Sequence, residues 1–317
     1  GDGRRAHAEQ LETDPQVAGV APLHRRLPRV EHLVRRLAAP GGVVGVLGGV
    51  SKGSDWGWAS PATLAAIVGG ALVLVGWGFY ETRHPHPLID LRTTVKRPIL
   101  LTNIAALLIG FGMMAQSIVV PQLLQMPEST GYGLGQTILQ AGLWMAPAGL
   151  MMLAFTPVSS RLLTRFGGRT TLALGATVIA AGYVFAVFLD NAPWQLMVAT
   201  CIASAGVGIG YAAMPTLILE NSPASEAGAG VGMNALMRSM GTTVAGAVMA
   251  LVLTSQTVSA SGGLQIPAEE AFRSCFLIGA GAALAGALVV LLIKRTRPAA
   301  EVAEVVAAPE GESAAAR

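Results

Sequence analysis

The chain has 317 residues, of which 52% are hydrophobic and only 12% charged, about half the ~25% charge of an ordinary soluble domain. Its mean hydropathy of +0.57 places it in a membrane rather than among soluble globular proteins. A net charge of +3 and a pI near 9.1 would suggest a nucleic-acid partner in a soluble protein, but the basic residues fall in loops between apolar stretches, so they set orientation in the bilayer and imply no nucleic acid.

Residues 1–40 differ from all that follows, being rich in Arg, Ala and Pro with Arg25, Arg26, Arg29, Arg35 and Arg36 close together. A basic amphipathic surface segment and a signal or transit peptide are two readings, but no compact apolar region precedes a small-residue cleavage site. The third reading is favoured: a disordered or non-native stretch, as an out-of-frame reading or a misplaced start would produce. Residues 41–50 are apolar but too few and too Gly-rich to span alone, and are expected to be the tail of an eighth helix whose beginning is missing. Transmembrane helices are predicted at 60–80, 98–125, 137–158, 170–189, 195–219, 228–253 and 271–293. Each is long enough to cross a hydrocarbon core of ~30 Å. Residues 298–317, rich in Ala, Glu and Pro, read as a disordered tail.

The connecting loops alternate in charge. Segments 81–97, 159–169 and the stretch after 293 carry Arg or Lys, whereas 126–136, 190–194 and 254–270 carry none. The excess of Lys and Arg marks the cytoplasmic side, so the C-terminus is predicted to be cytoplasmic. Lys52 and Arg273 go against this pattern.

Ionisable residues inside a membrane are costly and mark function. No Asp, Glu or His lies in the interior of any predicted span: His7, His24 and His32 are in the head, His84 and His86 in a loop. A serine nucleophile would lack its base, and neither HExxH nor a GxxxxGK[ST] phosphate loop occurs, so no enzyme, metal, cofactor or ATP-driven pump is implied. Cys201 and Cys275 fall in apolar spans and form no metal-ligand spacing. The polar residues that remain are Asn103, Gln116 and Gln122, with Gln125 at the span's end, then Gln140 and Trp144 four apart, Tyr211 with Met214, and Asn234 with Arg238. Asn234, Arg238 and Gly241 follow i, i+4, i+7 spacing and line one helix stripe. Arg238 lies roughly 15 Å inside its helix, too deep to reach the interface easily, so it faces protein or a water-filled cavity. For each Asn or Gln alone, a hydrogen bond between helices is the plainer role. Pro121, Pro147, Pro157 and Pro215, with Gly206, Gly208 and Gly210, are predicted to bend helices, as alternating access would use.

Several segments resemble, in the right order, the second half of a drug:proton antiporter of the fourteen-helix, EmrB/QacA-type branch of the major facilitator superfamily (MFS). They are SKGSDWGWASPATL (51–64), HPLIDLR (86–92), RPILLTNIAALLIGFG (97–112), PQLLQ (121–125), TGYG (130–133), RLLTRFGGR (161–169) and GMNALMRSMG (232–241). The resemblance implies an all-α polytopic bundle: one partial and one complete linker helix over 41–97, then a C-terminal six-helix domain over 98–297. It implies multidrug efflux across the cell membrane, with an amphipathic substrate in a cavity lined by helices 98–125, 137–158, 195–219 and 228–253. Asn103, Gln116, Gln122, Gln140, Trp144, Tyr211, Met214, Asn234 and Arg238 are the cavity candidates. RLLTRFGGR is similar to a degenerate cytoplasmic gating loop, with Arg161, Arg165, Gly167 and Arg169 in place and its usual acidic residue absent. The family's first six helices have no counterpart here, so the chain is expected to be truncated or split, and to need an N-terminal half in trans beside the lipid bilayer. The alternatives are a non-transporting membrane remnant, or a helix-bundle interaction module that dimerises through Gly206 and Gly210.

Overall fold

The computed structural model describes residues 23–83, 95–223, 226–259 and 265–293. The start of the basic head, the HPLIDLR segment and the tail after 293 lie outside these residues. All long elements are helices: α1 (Leu23–Trp56), α2 (Pro61–Arg83), α3 (Arg97–Gln125), α4 (Ile138–Phe188), α5 (Pro193–Tyr211), α6 (Ala213–Asn221), α7 (Ala227–Ser255) and α8 (Glu269–Leu291). The molecule is a polytopic membrane helix bundle, and the predicted spans match these helices to within about three residues, with 137–158 and 170–189 joined in α4 and 195–219 divided between α5 and α6.

Among the described residues, six stretches are long and apolar enough to cross a membrane. α4, at 51 residues, would be about 77 Å long as one rod, more than twice the ~30 Å core. A break at Gly167, with φ 77° and ψ 167°, divides it into two arms of span length. Segment 159–169, predicted as a loop, is therefore helix up to residue 166 and helix again from 168. Its arginines read as loop residues, but long basic side chains also suit a helix that runs on into the interface. Pro147 and Pro157 sit inside α4 without breaking it, so the bend belongs to glycine rather than proline. The pause between α5 and α6 does follow a proline: Pro215 offers no N–H to the carbonyl of Tyr211, and the helix is interrupted at Ala212.

α1 runs unbroken from Leu23, so the composition boundary at residue 40 and the supposed stub at 41–50 both fall inside one helix. The glycines that make 41–50 look unlike a span are its contact with α2. A Cβ on Gly70 would lie 2.6 Å from the Val46 nitrogen and 2.7 Å from the Gly42 oxygen, so the two backbones touch. Gly57, at φ 86°, makes the turn, and the Ser60 hydroxyl caps α2 by accepting from the Thr63 N–H.

The remaining helices meet through small residues. Gly175 of α4 lies against Gly206 and Gly210 of α5, and Gly182 against Ala199 and Ala203. α8 fits between α3 and the second arm of α4, with Gly112 facing Gly279 and Ala283. The buried Tyr183 hydroxyl donates to the Gly112 carbonyl at 2.5 Å. Both residues that broke the charge pattern are ion-paired. Lys52 Nζ lies 2.9 Å from Asp55, while Arg273 lies 2.6 Å from Glu269 and 3.5 Å from the buried Asp190.

The loop between α3 and α4 and the short antiparallel hairpin of β1 (Thr257–Ser259) and β2 (Gln265–Pro267) form one cap. Tyr132 joins them: its hydroxyl donates to the Pro267 carbonyl and its ring lies 6.1 Å from Phe272. Burial, then the Glu269 carboxylate, raises the Tyr132 phenol above its ordinary 10.0. The folded state therefore holds this proton more tightly than the unfolded chain. Its contribution is complete below the ordinary phenol value and is lost as pH climbs through the raised one. The detergent-solubilised protein is expected to lose thermal stability above about pH 10, the ordinary phenol range, and Tyr132→Phe should flatten that loss. A pH-independent unfolding temperature in the parent protein would refute it.

Candidate functional site

The stripe predicted on α7 divides by role. Asn234, at one end, donates through Nδ2 to Asn103 Oδ1 at 3.1 Å and to the Thr102 carbonyl at 3.4 Å, all within the buried seam between α3 and α7. At the other end Gly241 lies directly on the Leu107 carbonyl, where a side chain would collide. Between them the main chain of Arg238 rests on Gly110 of α3. Both ends of the stripe thus fasten α7 to α3, and they fix the position of the arginine between them.

The Arg238 side chain leaves that seam and lies over the Tyr211 ring of α5, with Cζ 4.3 Å from the ring centroid. Arg238 is half-buried and Tyr211 exposed. Among the described residues no carboxylate pairs with Arg238 and no acceptor takes its N–H groups. A second polar contact joins α3 to α5: Gln116 Nε2 donates to the buried Ser204 hydroxyl at 3.2 Å, leaving Gln116 Oε1 buried without a partner. An amide can be turned over, but either way one amide atom stays unmatched. Sequence reasoning missed Ser204 because a lone Ser in an apolar helix is unremarkable; only its position opposite Gln116 distinguishes it.

The other predicted residues lie apart from this face. Gln140 forms a capping box with Thr137 at the start of α4, each bonding the other's backbone N–H. The sequence T-x-x-Q carries that signal. Trp144 donates to Gln136 Oε1 at 3.0 Å beside the same cap. Met214 is buried among core side chains, and Gln122 stands exposed. The structure therefore unites Asn103 with Asn234 and Tyr211 with Arg238, sets Gln116 nearby, and separates the rest.

In the segment 161–169, Arg161 and Arg165 are exposed, and Arg165 Cζ lies 5.3 Å over the Phe166 ring. Arg169 reaches across to α8 and donates to the Leu291 carbonyl, where a cation suits the negative end of a helix. Gly167 supplies a backbone conformation open essentially to glycine alone. A Cβ there would find open space, so Gly167→Ala tests the backbone by itself. It is expected to destabilise the bundle by about 1–3 kcal/mol in a detergent unfolding assay. No change would show that the break is not held by its φ. For the amide seam, Asn103→Leu and Asn234→Leu together should show a coupling of about 0.6–1.7 kcal/mol in a double-mutant cycle, and strict additivity would show that the pair contributes nothing.

The chain matches the Major Facilitator Superfamily over residues 38–245 and, in an overlapping alignment, over 102–314. It is 26% identical over 200 residues to a "Multidrug resistance protein B homolog" of Mycobacterium tuberculosis, covering 61% of this chain and 35% of that protein. It is 24% identical over 210 residues to the "Tetracenomycin C resistance and export protein" of Streptomyces glaucescens, covering 66% and 38%. A "Tetracycline resistance determinant" of Streptomyces rimosus is 27% identical over 206 residues, covering 64% and 58%. The chain thus spans only part of the length of these curated relatives. With the family matched across most of its helices, the protein belongs to the Major Facilitator Superfamily, whose relatives here are membrane transporters.

Proposed function

We propose that α3 through α8 form the C-terminal half of a drug-efflux transporter of the fourteen-helix drug:proton antiport branch, with α1 and α2 as the linker helices before it. The observation that carries this reading is the polar face at the meeting of α3, α5 and α7. An otherwise apolar bundle places an unpaired cation, an exposed aromatic ring and an unmatched amide there. Such a face recognises an amphipathic small molecule by a few directed contacts within a greasy surround. The names of the relatives, which speak of multidrug resistance and of export, support the same class of cargo. Alternating access needs a second wall, which in this reading an N-terminal six-helix half supplies, in the cell membrane, with the C-terminus cytoplasmic. The proton-binding carboxylates would belong to that half, because the interior of these spans carries none.

The rival interaction module needs a free small-residue face. Gly206 does not offer one: a Cβ on it would lie 2.6 Å from the Gly175 oxygen within the same chain. The transporter reading is tested by producing the chain together with a matching N-terminal half in a drug-susceptible host. Intracellular accumulation of chloramphenicol and of tetracycline is expected to fall relative to either half alone. Unchanged accumulation of both, with both halves shown to be in the membrane, would refute the transporter reading.

A further inference from the structure

Resting on that transporter reading, we propose that the site on Arg238 selects organic anions: amphipathic aromatic molecules bearing a carboxylate, or an ionised phenol or enol, rather than cationic ones. A guanidinium is charged at every physiological pH and offers five N–H donors. In a low-dielectric interior it calls for a counter-ion. Among the described residues its one contact of opposite polarity is the Tyr211 ring, a far weaker partner than a carboxylate. The carboxylates on the flanking helix ends are out of reach. Glu226, for example, is twelve residues from Arg238 along α7, about 18 Å. With its Cζ 4.3 Å from the Tyr211 centroid and no acceptor on its N–H groups among the described residues, the guanidinium keeps donors that a carboxylate would take with two parallel hydrogen bonds.

The second polar contact sets the dimension of the ligand. Gln116 is six residues beyond Gly110 on α3, and Ser204 is seven residues from Tyr211 on α5. Both separations correspond to roughly 9–10 Å along a helix. The two contacts are therefore rungs between the same helices, one anchored by Arg238 and the other by the unmatched amide of Gln116. A ligand with its anionic oxygens on Arg238 and a hydrogen-bonding group about 9–10 Å away satisfies both rungs at once. A quaternary ammonium ligand would meet like charge at the first rung and no donor–acceptor match at the second.

The test uses the full chain in lipid nanodiscs at pH 8, with empty nanodiscs as the blank and three probes of one scaffold. These are pyrenebutyric acid, its methyl ester, and pyrenebutyl-trimethylammonium. The acid is expected to bind roughly tenfold or more tighter than the ester, as a charge-assisted bidentate contact implies. Arg238→Gln should abolish that preference, bringing the acid to no better than the affinity of the ester for the same variant, and Arg238→Lys should retain part of it. Equal affinity for acid and ester, or a preference that survives Arg238→Gln, would overturn the anion site while leaving a drug-binding half intact. Preference for the ammonium probe would overturn it in the same way. Binding of none of the three would overturn the anion site, while the transporter reading stands or falls on the accumulation assay with both halves present.

Discussion

Everything in this molecule depends on how closely its helices approach one another. Lipid tails are as apolar as leucine, so helices in a bilayer gain little from hiding side chains against each other, and their association rests on van der Waals fit and buried hydrogen bonds. Glycine is what allows that fit here. Gly70 against α1, Gly175 against α5, Gly241 against α3 and Gly279 against the α3 and α4 side chains each sit where a methyl group would force the helices apart. Once backbones are in contact, a short polar side chain reaches across, as Asn234 does to Asn103 and Tyr183 to Gly112. The hydrogen bonds are a consequence of the glycines rather than a substitute for them.

The same constraint explains how a charged residue is tolerated at mid-helix. Arg238 is carried on a backbone pinned to α3 by Asn234 below and Gly241 above, so its side chain has little choice of direction. Fixing the backbone sets where the side chain leaves α7, and from there its guanidinium lies over Tyr211 on α5. Arg273 is handled differently. Placed at a helix end, it is neutralised on the spot by Glu269 and Asp190. One cation is satisfied within the chain and the other is left open, and that contrast singles out Arg238.

The spans were legible in the sequence because bilayer thickness imposes a length that composition alone reveals. The limits of that reading are equally physical. The glycines of 41–50 gave no sign that they form the surface against which α2 packs. The arginines of 161–169 looked like a loop, when all but one residue, Gly167, continue α4. Spacing on α7 correctly put Asn234, Arg238 and Gly241 on one stripe, but a stripe wide enough to touch two neighbours does not say which residue meets which. Gln140 was assigned to a cavity on its polarity, although Thr137 three residues earlier already marked it as a cap. Ser204 carried no signal at all, since its role exists only in relation to Gln116 on another helix.

The pause at Ala212 gives the Arg238–Tyr211 contact a further property. Tyr211 is the last residue of α5 before the interruption that Pro215 causes, so its carbonyl lacks the donor that would otherwise hold it in the helix. The ring therefore travels with α5, while the guanidinium travels with α7 and, through Gly110 and Gly241, with α3. A side-chain contact between two different helices is the kind that rearranges when helices rock about a cavity. Moving α5 away from α7 would weaken the cation–π contact that compensates the charge of Arg238 among the described residues. An anionic ligand seated on the edge of Arg238 would take over that compensation. Occupancy of the site and the distance between the two helices are then linked through a single charge.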